Sequence, residues 1–249
     1  MISIKSAREI ELMREAGHLN YLTHEELAKH IKPGISTKEL DDIAYKFITE
    51  RNGYPSCLNY EGFPASICIS VNDEVVHGIP SKKRILKEGD VVSIDFCVEY
   101  KGYQSDAART YIVGSASKEV EDLVENTKKA LYEGLSIIKN GVKINEIGSK
   151  IENFAKEHNL GVVRELVGHG LGTDIHEDPD IPNYYTKDAT RLKSGMVIAL
   201  EPMLTLGKRY IYESDDGWTI KTEDGLPAAH FEHTVLITDE GYVILTGEW

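Results

Sequence analysis

Four acidic residues stand inside apolar, strand-like runs. Asp95 follows Val-Val-Ser-Ile, Asp106 lies on the return from a Lys101-Gly102 turn, Glu201 follows Val-Ile-Ala-Leu, and Glu232 sits within AAHFEHTVLI. A carboxylate among apolar residues is costly to bury without a partner. Carboxylates forced together need a cation between them, or one must keep its proton. Nitrogen comes from LVGHGLGTDIHEDP, where His169 lies between Gly168 and Gly170 and His176 follows seven residues later. Glycines on both sides let the backbone bend and approach a ligand closely. Asp95, Asp106, His169, Glu201 and Glu232 together offer many oxygens, one imidazole and no thiolate. One metal ion rarely needs four carboxylates and a histidine, whereas two divalent ions sharing bridging carboxylates do. A water bridging such ions ionises near neutral pH, which suits metal-assisted hydrolysis. Taken singly, the same residues have plainer readings. Asp106, beside Ser105 and Arg109, reads as a solvated hairpin residue with a local ion pair, and a lone buried glutamate reads as a hydrogen-bond anchor.

An internal repeat ties two of the acids together. Leu86–Asp95 reads LKEGDVVSID and Leu192–Glu201 reads LKSGMVIALE, each ending in an acid at the tip of an apolar strand. A second pair, IKPG at 31–34 and IKNG at 138–141, keeps nearly the same offset and opens a helical pattern each time. Two phrases at one offset indicate a duplicated unit. If the halves pack by pseudo-symmetry, Asp95 and Glu201 arrive at one place from opposite sides.

The elements that must position these residues are legible in outline. Apolar spacing predicts helices over roughly 6–31, 37–51, 117–138 and 144–158, with Ser6 an N-cap and Ser36 and Glu39 a helix start. Strand patterns fall at 66–71 and 91–100, with a return strand through Tyr111, then near 196–204, 208–213, 228–237 and 242–246. Alternation puts Val91, Ser93, Asp95 and Cys97 on one face, with Asp106 roughly beside Asp95 on the next strand. It likewise puts His230, Glu232 and Thr234 on one face and His233 on the other. His18, His24, His30 and His158 fall in helical patterns and read as solvated. No linker or low-complexity tract divides the halves, so the expected fold class is α+β: one domain of two similar halves, helices covering a curved antiparallel sheet.

Composition excludes more than it asserts. The chain has 249 residues, 41% of them apolar, a net charge of −13 and no long basic cluster, which argues against nucleic acid binding. There is no apolar core for a signal peptide and no apolar run long enough for a membrane span. The three cysteines, Cys57, Cys68 and Cys97, fit no zinc spacing and read as free thiols in a reducing, cytoplasmic compartment. Gly168-x-Gly170-x-Gly172 lacks the spacing and frame of a nucleotide loop, and the chain has no HExxH, GxSxG or P-loop motif.

The five spaced residues, with the phrases CISVNDEVVHGIP, VVSIDF, GHGLG, IHEDP, LEPML, DGWTIKT and FEHTVLIT, resemble the methionine aminopeptidases over nearly the whole chain. Within that family the chain is similar to the compact bacterial type I enzymes. It has no long N-terminal extension with Cys/His zinc motifs, and the Glu201–Glu232 interval holds no long helical insertion of the type II kind. The resemblance implies a pita-bread (creatinase/aminopeptidase) fold. Residues 1–249 would form a single catalytic domain, with pseudo-repeat halves roughly 1–112 and 113–249 and a metal pair between them. It implies a monomeric cytoplasmic enzyme that removes N-terminal methionine from nascent polypeptides, preferring a small second residue, with ribosome association a family expectation.

The resemblance also assigns roles. Asp95 would chelate one metal, Asp106 and Glu232 would bridge both, and His169 and Glu201 would bind the other, Glu201 doubling as general base for the bridging hydroxide. His77 would contact the scissile amide, and His176 would hydrogen-bond the substrate carbonyl. Cys57, Tyr60, Phe63, Cys68 and Trp218 match positions that line the methionine pocket, where a thioether calls for an apolar, polarisable surface. The ligand set accepts cobalt, manganese, iron, nickel or zinc. Three positions depart from the family pattern: Ile175 stands where relatives often carry a bulky aromatic, Ala199 where they often carry threonine, and His230 where they often carry glutamine. The competing readings are another pita-bread hydrolase, such as a prolidase or aminopeptidase P, and a non-catalytic binding module, which would have lost metal ligands.

Overall fold

The computed structural model describes residues 2–248. Each half begins with two helices. Ser6 and Ser36 accept the backbone N–H of Glu9 and Glu39, whose carboxylates reach back to the serine N–H groups, so two capping boxes start α1 (Ala7–Ala28) and α2 (Thr37–Thr49). In the second half lie α3 (Lys118–Leu135) and α4 (Ile144–Glu157), the latter opened by Glu146 accepting the Lys143 N–H at 2.9 Å. The helices end two to three residues short of the spans that periodicity predicts, except α4, which ends at Glu157.

The strands run in chain order as β1 (Tyr54–Pro55), β2 (Cys68–Val71), β3 (Glu74–Val76), β4 (Val91–Tyr100), β5 (Tyr103–Ile112), β6 (Gly161–Val162), β7 (Gly168–Gly170), β8 (Glu177–Ile181), β9 (Val197–Leu200), β10 (Met203–Thr205), β11 (Ile211–Glu213), β12 (Ile220–Thr222), β13 (Ala228–His230), β14 (His233–Ile237) and β15 (Tyr242–Ile244). The described strand pairs are antiparallel. Lys101 (φ 52°) and Gly102 (φ 86°) both turn left-handed between β4 and β5, the geometry of a two-residue hairpin.

The duplication is physical. Gly34 N–H donates to Leu86 O at 2.8 Å, and Gly141 N–H to Leu192 O at 2.9 Å. Leu86 and Leu192 return equivalent bonds to Ile35 O and Val142 O, both at 2.8 Å. Each ten-residue phrase is thus clamped to the turn before its own second helix, and the phrase then runs into the strand that ends near an acid.

The expected continuous sheet is divided by hydrogen bonding into four. One holds β1-β4-β2 with β5 on β4; the others are β15-β14-β9-β7-β8, β13-β10-β6 and β11-β12-β3. The interruptions fall at the acids. β9 stops at Glu201, before Pro202, which has no N–H to give a ladder. β13 and β14 are parted at Phe231-Glu232, because the Glu232 N–H turns to Ala108 O in the other half, at 2.9 Å. Two threonine hydroxyls extend this seam. Asp106 N–H donates to Thr234 Oγ1 (2.8 Å), which donates to Asp106 O (2.7 Å). His230 N–H donates to Thr110 Oγ1 (2.9 Å), which donates to His230 O (2.7 Å). The β5 strand therefore meets residues 230–234 through one direct and two hydroxyl-mediated rungs.

Two apolar cores flank the seam. Leu27, Leu40, Ile48, Ile94 and Phe96 lie between α1, α2 and the first sheet, and Leu135, Ile147, Ile151, Ile198 and Leu200 lie under α3 and α4. Each such side chain is fully buried and contributes about 1.5–3 kcal/mol. His24 is not solvated as its helical pattern implied. It falls on the buried stripe of α1 with Asn20 and Leu27, and its Nε2 lies 3.2 Å from Ala107 O. Burial holds its ring well below the ordinary histidine range, so it is neutral. No helix among the described residues is long and apolar enough to cross a membrane.

Thr234→Val keeps the shape of the seam but leaves the buried Asp106 N–H without an acceptor. The expected cost is about 1–3 kcal/mol of stability, read as a lower urea midpoint. An unchanged midpoint would mean that the hydroxyl rungs do not hold the halves.

Candidate active site

The strands deliver the predicted residues from both sides of the seam. In the first half, the register sets Asp95 opposite Ala108 and Asp106 opposite Cys97. Asp95 and Asp106 are therefore diagonal neighbours on one face rather than directly opposed. Cys68, paired with Asp95 from β2, shares that face. In the second half, Ala199 pairs with His169 on one side and Thr234 on the other. Leu200 pairs with His233 and Met203 with His230, which brackets Glu201 and Glu232 at the strand interruptions.

These placements bring the donors together. Asp106, His169 and Glu232 each offer one atom within 4.8 Å of the others. His169 Nε2 lies 3.4 Å from Glu201 Oε1 and 3.8 Å from Asp106 Oδ2. Its Nδ1 lies 2.9 Å from Gly170 O, and since a carbonyl can only accept, Nδ1 carries the proton and Nε2 turns a lone pair to the acids. Burial, with His176 alongside, lowers this ring to about 4, so it is neutral. The flanking glycines serve close strand packing. A Cβ at Gly168 would sit 2.4 Å from Ala199 O, and one at Gly170 would sit 2.2 Å from Asp178 O.

The acids lie in an environment that resists their charge. Burial raises Asp95, Asp106 and Glu232 well above the carboxylate range, with further upward pressure on each from neighbouring carboxylates. Burial pushes Glu201 up to about 8. Asp106 Oδ1 and Glu232 Oε1 are buried with no hydrogen-bond partner among the described residues. Unsatisfied carboxyl oxygens beside a lone-pair nitrogen fit a divalent cation, which would supply the missing charge and bonds.

Above the acids is a cavity of about 300 Å³. Asp95, Asp106, His169 and Glu201 reach its wall, whereas Glu232 lies behind it, 2% exposed. Cys57, Tyr60, Phe63, Cys68, His77, His176 and Trp218, all expected to meet substrate, line the cavity. Trp218 sets its ring edge-on to Phe63 at 5.2 Å and to His77 at 6.4 Å. His77 holds a left-handed backbone (φ 59°), a strained state for a residue with a Cβ. The next residue explains how it is kept there: a Cβ at Gly78 would fall 2.1 Å from Ile69 O, so the chain is pressed against β2. The Tyr60 hydroxyl lies 2.9 Å from His176 Nδ1, and burial lowers both His77 and His176.

Sequence reasoning did not assign six further wall residues: Glu61, Val76, Cys97, Leu166, Val167 and Met203. Alternation had already put Cys97 on the face of Asp95, and Met203 stands two residues after Glu201. The Cys57 thiol accepts the Cys97 N–H at 3.5 Å. Ile175 also reaches the wall, so its departure from the family pattern does bear on cavity shape.

The direction of the carboxyl shifts fixes a pH dependence. With Glu201 at about 8 folded and near 4.5 unfolded, the metal-free folded chain binds more protons than the unfolded chain between those values. Its stability should fall as pH rises through that window, and a divalent ion added at neutral pH should displace protons. Calorimetric titration of Mn²⁺ into metal-free protein, in two buffers of different ionisation enthalpy, should show net proton release. A heat independent of buffer would contradict the protonated cluster.

Comparison with known proteins agrees with this geometry. The model of metallopeptidase family M24 matches residues 11–239. Methionine aminopeptidase 1 of Bacillus subtilis is 51% identical over 247 residues, covering 99% of both chains. A crystal structure of methionine aminopeptidase from Thermotoga maritima superposes with a TM-score of 0.98 at 40% identity, covering 100% of both chains. Prolidase from Pyrococcus furiosus superposes less closely, with a TM-score of 0.78 at 27% identity over 99% of this chain and 66% of that one. The fold is accordingly the pita-bread fold of two pseudo-symmetric halves, and the chain belongs to metallopeptidase family M24 and, within it, to the methionine aminopeptidases of bacterial type.

Proposed function

We propose that this chain removes N-terminal methionine from new polypeptides in the cytoplasm, preferring a small second residue. The observation that carries the reading is the convergence of carboxylates and a lone-pair imidazole beneath a half-open, largely apolar cavity. The catalytic unit is the whole chain, with halves roughly 1–112 and 113–249, because the donors come from both. Asp95, Asp106, His169, Glu201 and Glu232 would hold two divalent ions, Asp106 and Glu232 shared between them. When bound, these ions supply Lewis acidity and a water acidic enough to attack an amide near neutral pH. Availability would select among cobalt, manganese, iron, nickel and zinc.

The chain's own groups do the rest. Glu201 reaches the cavity wall beside His169, so with a metal bound its carboxylate would be placed to take a proton from the attacking water and pass it to the leaving amine. His77 and His176 are kept neutral by burial, so each has one ring N–H to give. A Tyr60 hydroxyl that donates to His176 Nδ1, 2.9 Å away, would leave that ring's proton on Nε2 for a substrate carbonyl. His77, held by its strained turn, would meet the scissile amide. Phe63 and Trp218, with the Cys57 and Cys68 thiols, form the apolar and polarisable wall that a thioether side chain fits.

Two measurements test this reading. Among three peptides, Met-Ala-Ser should be cleaved in the presence of added Mn²⁺, while Leu-Ala-Ser, which differs only in the first residue, and an Xaa-Pro dipeptide should be poor substrates. Equal cleavage of Xaa-Pro would favour a prolidase instead. His77→Ala should lower kcat about a hundredfold, as loss of one transition-state donor does, with little change in KM. A raised KM with kcat intact would make His77 a binding residue only.

A further inference from the structure

His230 has no role in the scheme so far, yet its backbone is fixed and its side chain buried at the site. Its backbone is fixed on three sides: N–H to Thr110 Oγ1 at 2.9 Å, carbonyl from the same hydroxyl at 2.7 Å, and pairing with Met203 across β10 and β13. The side chain is 1% exposed, and neither ring nitrogen has a hydrogen-bond partner among the described residues. A buried imidazole with both nitrogens unmet is costly, so the ring needs an acceptor close by. Nε2 lies 3.6 Å from Glu201 Oε2. The other oxygen of that carboxylate, Oε1, faces His169 Nε2 at 3.4 Å. Two imidazoles thus flank Glu201, one on each oxygen. They are not equivalent, because Nδ1 of His169 is committed to a carbonyl while His230 has no such anchor.

We propose that His230 is a positioning residue for the metal centre: its Nε2–H holds Glu201 by Oε2 and so keeps Oε1 turned towards His169. The proposal rests on the reading of Glu201 as a metal-holding carboxylate. Donor groups that orient a metal-binding carboxylate typically affect affinity by about ten- to a hundredfold. The role requires an N–H, not an imidazole, so an amide side chain should replace it and an alkyl side chain should not.

The test is Co²⁺ titration of metal-free parent, His230→Gln, His230→Leu and Glu201→Gln, followed by calorimetry and by the visible absorption of the bound ion. His230→Gln should keep the parent's affinity and spectrum. His230→Leu should lose about ten- to a hundredfold in affinity and change the spectrum, while the metal-free melting temperature does not fall. A Leu variant that matches the parent would overturn the proposal. So would a Gln variant that behaves like Leu, since an imidazole would then be required as a direct ligand. If Glu201→Gln itself leaves binding unchanged, the failure belongs to the metal-site reading; if it weakens binding and His230→Leu does not, the failure belongs to the positioning role alone. Should the Leu variant not fold, imidazole ¹⁵N resonances of the zinc-loaded parent decide: a protonated Nε2 on His230 is expected, and a deprotonated one would overturn the proposal.

Discussion

Charge without solvent is the constraint from which the rest of this structure follows. Asp95, Asp106, Glu201 and Glu232 are brought to one place where burial opposes ionisation, and two of their oxygens have no bond to accept among the described residues. Such a cluster is stable only if protons or cations neutralise it. The neutral imidazole of His169, its lone pair turned inward, can accept from a protonated carboxyl or bind a cation, but cannot stabilise a bare carboxylate by donation.

The duplication is the means of assembling this cluster. Each half carries the same clamp, a glycine turn bonded to the leucine that opens the ten-residue phrase, and each phrase aims one acid at the midline. The remaining acids come from β5 and from the break between β13 and β14, and these two stretches form the seam itself. Threonine hydroxyls at positions 110 and 234 lengthen two of the rungs while satisfying the N–H and C=O groups on both sides. Stability and site geometry are therefore carried by the same bonds.

Much of this was legible in the sequence because it is periodic or local. Helix starts at Ser6 and Ser36, the Lys101-Gly102 hairpin and the repeat each have a short-range signature. Alternation alone placed His230 and Glu232 on a common face, although the chain between them departs from the strand. What escaped was non-local. The strand break at Phe231-Glu232 arises because the Glu232 N–H is claimed by the other half, and no window of sequence reports that, whereas the break at Glu201 follows from Pro202. The diagonal offset of Asp95 and Asp106 depends on hairpin register. His24 was misread because polarity outweighed its position on the buried stripe of α1, where a carbonyl of β5 gives it a partner.

The account stands on divalent ions lodged among side chains drawn from both halves. Anomalous diffraction from a crystal saturated with Mn²⁺ tests this most directly. It should show two peaks at about 3.5–4 Å separation, contacted by Asp95, Asp106, His169, Glu201 and Glu232. Manganese bound elsewhere, with no peak between these five side chains, would contradict the account.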